Sequence, residues 1–271
     1  MPEFNAVFRE FFPDAHPART TVGVALCGVP LEIDCVAVLR PAPPAVRPVA
    51  PAAERWREVG VPTLGHFLED GFVDHGIQAV VEGVRLVGRA VTLSLPTPDA
   101  VAVNRAICAL RPGDALVIDT GGNRTHAVLG AVTATAIHAV GAAGVVVDGL
   151  VTDRADLRRI GLPVFARGTT ARTTKLLDDG RGELDAVVRC GGVQVRPGDL
   201  VLADDNGVLV VDPDSAGAAD ALDRARRSDA DEPAVLARLL AGEHPRDVLT
   251  LRAPSVTTDH RAEGALSAPS S

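Results

Sequence analysis

The stretch GVVVDGLVTDRADL (residues 144–157) runs an aliphatic segment into two carboxylates, Asp148 and Asp153, five residues apart. Open α/β sheets carry their sites at the carboxyl ends of the strands. A hard cation such as Mg²⁺ takes oxygen ligands and keeps several waters, so one or two carboxylates suffice to hold it. Each aspartate also has a plain structural reading. Asp148 suits the turn residue before Gly149, and Asp153 suits the N-cap of a helix over RADLRRI. Upstream lies TGGNRTHAVLG (120–130), a glycine-bearing loop. A helix interior disfavours glycine by about 1 kcal/mol relative to alanine, so the helix after this loop is predicted to start at Ala131. The unpaired amides of Ala131, Val132 and Thr133, at the positive end of the helix dipole, then favour a carboxylate or phosphate. Gly121 and Gly122 either let a ligand approach the backbone or simply form a turn. The loop is neither a Walker loop nor GxGxxG. It also carries Arg124 and His126, and a histidine can serve as a general base at neutral pH.

The predicted elements place these residues on a βαβ framework. VPTLGHFLEDGF reads as the start of a helix with Thr63 as cap. VRLVGRAVTLSL (84–95) reads as a strand interrupted by Gly88, and residues 98–110 as a helix beginning with proline. RPGDALVID (111–119) is a turn and a strand ending in Asp119, residues 131–144 form a helix, and GVVVD is the next strand. Beyond residue 160 come short strands (PVFA, DAVVR, VQV, DLVLAD, GVLVVD), then two helical segments within 214–228 and 232–241. The fold class is α/β with a mixed sheet. Residues 1–60, with the spacer RPAPPAVRPVAPAAE, read as an N-terminal extension, 61–250 as the main domain, and 251–271 as a flexible tail.

Composition excludes several functions. The 271 residues are 46% hydrophobic and 23% charged, with a formal net charge of −8 and no basic stripe, which argues against a nucleic-acid partner. Tyrosine is absent and Trp56 is the single tryptophan, so no aromatic stacking platform is expected. No apolar run reaches the roughly 18 residues of a membrane helix, and the N-terminus lacks a signal-peptide pattern, so a cytoplasmic location is expected. Cys27, Cys35, Cys108 and Cys190 form no CxxC pair and read as buried, reduced thiols.

The segments RPGDALVID, GVVVDGLVTD, LPVFARGTT and CGGVQVRPGDLVLADDNGVLVVDP, in this order, resemble the RraA-like family, which includes the 4-hydroxy-4-methyl-2-oxoglutarate/4-carboxy-4-hydroxy-2-oxoadipate aldolases. The resemblance covers about residues 61–250. It implies a layered β/β/α swivelling-domain-like fold, a homotrimer or hexamer with sites between subunits, and a Mg²⁺- or Mn²⁺-dependent C–C lyase acting on an α-keto acid. Many members also decarboxylate oxaloacetate. It further implies that Asp153 is the metal aspartate and that the helix amides after Gly130 bind substrate. Glu232 matches a carboxylate delivered by a neighbouring subunit.

The chain departs from the family at two positions. The family strand ends DGxxRD, and Thr152 stands where its substrate-binding arginine belongs. Ala131 stands where an acidic residue follows the glycine. Threonine cannot make the bidentate pair with a carboxylate that arginine makes. Arg124 and Arg154 are the candidates to replace the missing cation. Three readings follow: a metal-dependent lyase with an altered carboxylate substrate, a non-catalytic protein-binding or regulatory member (the family namesake inhibits a ribonuclease), and another reaction class on the same scaffold.

Overall fold

The computed structural model describes residues 51–250. Four strands form its centre: β2 (Leu86–Ser94), β3 (Asp114–Asp119), β4 (Gly144–Val151) and β5 (Val164–Thr169), each parallel to its neighbour. Helices α3 (Ala100–Ala109), α4 (Ala131–Val140) and α5 (Arg154–Ile160) connect them. Parallel strands covered on both faces read as continuous aliphatic runs, and these do. Leu116, Ile118, Val145 and Val147 pack with Ala106, Ala134, Ile137 and Leu157 on the helical side. Ala115, Val117 and Val146 face Val188, Cys190 and Val195 of the two-stranded ribbon β7 (Val188–Cys190) and β8 (Val193–Val195). The short strand β6 (Glu183–Leu184) pairs with the end of β2.

The sheet continues past β2 into the antiparallel pair β9 (Leu200–Asp204) and β10 (Gly207–Val211). At its other side β1 (Gln78–Ala79) pairs with β5. Just before β1, Phe72 bridges Leu209, Val73 donates to the Val208 carbonyl and Val210 donates to the Gly71 carbonyl. The sheet is therefore mixed and nearly closed. A third apolar cluster lies outside β9 and β10, where helix α6 (Ala216–Leu240) presents Ala218, Leu222 and Ala225 to Leu200, Leu202, Leu209 and Val211. Trp56 of helix α1 (Pro51–Trp56) and Val59 belong to this cluster, so the core reaches N-terminal of residue 61. Helix α7 (Pro245–Val248) follows α6. Among the described residues no helix is long and apolar enough to cross a membrane.

Local expectations are corrected at several points. The helix expected from residue 61 is the single turn α2 (Val61–Leu64), with Gly60, not Thr63, at its cap. Thr63 instead donates to Asp229 at 2.6 Å, and the chain beyond Leu64 must turn to bring Gly71–Val73 against β10. Helix α3 begins at Ala100, capped by Asp99 rather than opened by proline. Helix α4 stops at Val140 because Gly141 takes φ +80°, a left-handed cap. The two C-terminal helical segments are one helix that carries Pro233 on an exposed face, where water can serve the carbonyl that loses its donor. Cys108 is exposed on α3, against the expectation of a buried thiol, whereas Cys190 is buried. Cys27 and Cys35 lie outside the described residues.

Gly88 breaks the aliphatic run of β2 for a packing reason. A Cβ there would lie 2.7 Å from the Gly113 carbonyl and 2.8 Å from the Ala143 Cβ. Gly88→Ala is expected to destabilise the fold by about 1–3 kcal/mol through overpacking, read as a lowered urea midpoint at unchanged m-value.

Candidate functional site

The carboxyl ends of β3 and β4 bring Asp119 and Asp148 side by side as register partners. The Asp119 carboxylate accepts the amides of Gly121 and Arg189. Asp148 is more elaborately held. Its Oδ1 accepts from Arg167 Nε at 2.6 Å and from Arg124 at 2.9 Å, and its Oδ2 accepts the Gly191 amide at 2.7 Å. Arg124 also donates to the Asp148 carbonyl, and Arg167 reaches Asp74 at 2.6 Å. The Asp148 side chain is 13% exposed. Burial pushes its pKa up, but the Arg167 hydrogen bond, the Gly191 amide and the charges of Arg167 and Arg124 outweigh burial, so the carboxyl lies below the usual aspartate range. Asp148 is thus neither a turn residue nor a free ligand. It lies within β4 and ties together the 120–126 loop, β5, the Asp74 turn and the tip of β7.

The glycine loop is internally ordered. Gly121 and Gly122 take φ +60° and +83° and make a tight turn. The Asn123 side-chain oxygen accepts the amides of Thr125 and His126. His126 Nδ1 lies 2.8 Å from the Thr125 hydroxyl and 3.4 Å from Asn123 Nδ2. Residues 127–129 then run beside β4: Val128 donates to the Leu150 carbonyl and Thr152 donates to the Leu129 carbonyl.

Asp153 ends this run. It stands at the N-cap position of α5 with left-handed backbone (φ +56°, ψ +40°), yet its side chain makes no capping bond to that helix. Its Oδ2 instead accepts the Ala131 amide at the start of α4, at 2.8 Å, and its Oδ1 lies 3.3 Å from the Thr152 hydroxyl. Gly130 precedes α4 as its sequence position predicts, and the approach requires glycine. A Cβ at Gly130 would meet Asp153 Oδ2 at 2.7 Å and Thr152 Cγ2 at 2.9 Å. One of the three amides expected to be open to an anion is therefore occupied from within. The Val132 and Thr133 amides donate to no acceptor among the described residues, and Thr133 turns its hydroxyl onto the Gly130 amide.

The predicted site residues thus fall into three places within one chain. Gly130, Ala131, Val132, Thr133, Thr152 and Asp153 come together at the start of α4. Arg154 opens α5 nearby, exposed and without a hydrogen bond or ion pair among the described residues. Arg124 is committed to Asp148, five residues upstream of Asp153. Glu232 lines a cavity of about 720 Å³ with Thr63, His66, Asp204 and Asp229. Asp204 follows Ala203, the partner of Leu86 at the start of β2, so this cavity lies at the opposite end of the sheet. Arg167 and Asp74 were missed by sequence reasoning. The signal was an arginine directly after the buried run Val164–Ala166, which calls for a buried counter-charge.

A family model described as RraA-like (Aldolase/RraA) matches residues 63–210. The chain belongs to the RraA-like family. A Halalkalibacterium halodurans protein provisionally named as a 4-hydroxy-4-methyl-2-oxoglutarate aldolase is 35% identical over 158 residues, 58% of this chain and 73% of the relative. The Thermus thermophilus protein named 4-hydroxy-4-methyl-2-oxoglutarate aldolase is 34% identical over 133 residues, 49% and 79% of the two chains. Among solved structures, Streptomyces coelicolor RraAS2, described as an unusual member of the RNase ES inhibitor RraA protein family, aligns with TM-score 0.60 and 28% identity, covering 71% of this chain and all (100%) of that one. The layered α/β fold of this RraA-like chain agrees with that expected from its motifs.

Removing the Asp148 carboxylate leaves Arg167 and the Gly191 amide short of their acceptor. Asp148→Ala is expected to cost about 2–4 kcal/mol. Because the folded pKa is depressed, the carboxylate contributes stability that is present above its unfolded pKa of about 3.9 and lost as pH falls through the folded value. Urea unfolding at pH 7 and at acid pH should show the wild-type advantage over the variant shrinking in acid.

Proposed function

We propose that the protein is a divergent divalent-metal-dependent C–C lyase, an aldolase or oxaloacetate-type decarboxylase acting on an α-keto acid or related carboxylate. The observation that carries this reading is the posture of Asp153. Aspartate adopts left-handed backbone more readily than most residues with side chains, as Asp178 and Asp185 also do, but at Asp153 this backbone sets the direction of the carboxylate. Here it turns an exposed carboxylate away from its own helix and fixes it against the start of α4.

The donor set fits Mg²⁺ or Mn²⁺. A carboxylate offers about four acceptor positions, and Asp153 commits one firmly, to Ala131. A hydrated hard ion needs no closed cage of protein ligands and can be held by one or two carboxylates. Asp153 would hold the ion, which supplies Lewis acidity toward a substrate carbonyl. The Val132 and Thr133 amides are positioned to bind an anionic substrate group, and the Thr152 hydroxyl offers a single donor. With threonine and alanine at 152 and 131, the substrate differs from that of relatives that carry the family arginine and acid. In this reading Glu232 reaches the site from a neighbouring copy in a homotrimer or hexamer, and Arg154 is the cation best placed to assist within the chain.

A second reading, a non-catalytic regulatory protein, is favoured by Val132, an apolar side chain 84% exposed at the rim of the same site. Pyruvate release from oxaloacetate and from 4-hydroxy-4-methyl-2-oxoglutarate, with Mg²⁺ or Mn²⁺ and with chelator, distinguishes the two. The lyase reading expects metal-dependent turnover that falls roughly 10²-fold or more in Asp153→Asn with the unfolding midpoint little changed. Turnover indifferent to both chelator and substitution would remove Asp153 from the site, and no turnover with either substrate would favour the regulatory reading.

A further inference from the structure

Residues 170–181 leave β5 and cross to β6 without a core of their own. All but Thr170 and Thr174 are exposed, including Leu176 and Leu177 at 77% and 47%. Backbone bonds pin the segment at three points. Thr170 donates to the Val151 carbonyl. Around Ala127, whose amide donates to the Arg172 carbonyl at 2.7 Å, Thr174 returns a bond to the Ala127 carbonyl. At the start of α3, Lys175 donates to the Pro98 carbonyl and Ala100 donates to the Lys175 carbonyl.

The buried fastening is Asp99, a carboxylate with no exposed surface. Its Oδ1 accepts the amides of Leu177 at 3.2 Å and Asp178 at 3.1 Å, besides the Val101 amide that it caps. The remaining side-chain ties, Arg105 to Asp178 and Thr97 to Asp179, lie on the surface, where such contacts contribute little. Burial raises the Asp99 pKa, yet the amides of Val101, Asp178, Leu177 and Asp179 more than offset it, which keeps the group ionised. A segment fastened by hydrogen bonds and almost no apolar burial opens at low free energy.

We propose that residues 170–181 are a strap latched by Asp99, and that the latch governs the order of the loop carrying Arg124 and His126, because the strap's middle is paired to Ala127. Asp99 is in this sense a positioning residue, and the inference is independent of the reaction assigned above. All three amide bonds go to Oδ1, and the buried Oδ2 has no hydrogen-bond partner among the described residues. Asn keeps an acceptor and its helix-capping ability but loses the charge that makes such bonds roughly twice as strong, so Asp99→Asn weakens the latch.

The test uses the full chain. Limited trypsin digestion reads cleavage after Arg172 and Lys175, and hydrogen exchange reads the amides of Ala127 and Thr174. Asp99→Asn should speed cleavage at these two sites roughly tenfold or more and accelerate exchange at both amides, with cleavage elsewhere and the unfolding midpoint little changed. Leu177→Pro, which deletes one latch donor on the exposed strap without touching α3, should act in the same direction and serves if Asp99→Asn fails to fold. Unchanged cleavage in both variants, or acceleration shared equally by sites across the chain, would overturn the proposal.

Discussion

The strand-end architecture depends on how one carboxylate, Asp148, is neutralised. β4 is one of the two inner strands of the parallel set, and its end is covered by the ribbon β7–β8 on one face. A buried charge there is tolerable only because two guanidiniums and a backbone amide meet it. Those partners come from the 120–126 loop, from β5 and from the tip of β7, and Arg167 carries the connection on to Asp74. The pairing therefore fixes four separate chain segments relative to β4. The glycine loop takes its path from this anchor, and its continuation along residues 127–129 delivers Gly130 and the first turn of α4 to Asp153.

Much of this was legible in the sequence. The aliphatic runs at 115–118 and 145–147 have the length and continuity of strands buried on both faces, and the glycines at 121 and 122 mark the loop after the first, whereas Gly141 reads as lying inside the helix that it ends. Gly130 was readable as the residue before α4 because glycine is costly inside a helix. The partners of each charged residue were not legible. Asp153 has the spacing of an ordinary helix cap, and nothing local says that its side chain turns to a different helix. Arg124 reads as a surface arginine until the fold brings Asp148 beside it. The contact between Arg167 and Asp74 spans 93 residues, beyond the reach of any local pattern. Pro233 shows the converse: two segments that read as separate are one helix, with the proline on an exposed face.

The site at the start of α4 is built mostly from backbone. Ala131, Val132 and Thr133 contribute amides, Gly130 contributes the absence of a side chain, and Asp153 supplies the firm charge. In the proposed lyase reading, such a site keeps its geometry when neighbouring side chains such as those at 152 and 131 are exchanged. The Ala131 amide also orients the Asp153 carboxylate before any ligand arrives, so ordering that group adds little entropic cost on binding.

Closure of the main sheet has a consequence for association. Exposed strand edges are templates on which another chain can add a strand. Here the outer edge of β10 is engaged by Gly71–Val73, and the chain then leads into β1 at the far side, so neither border offers a long row of unpaired backbone groups among the described residues. Among the described residues, a partner that docks on the main sheet therefore meets side chains rather than a long open strand edge.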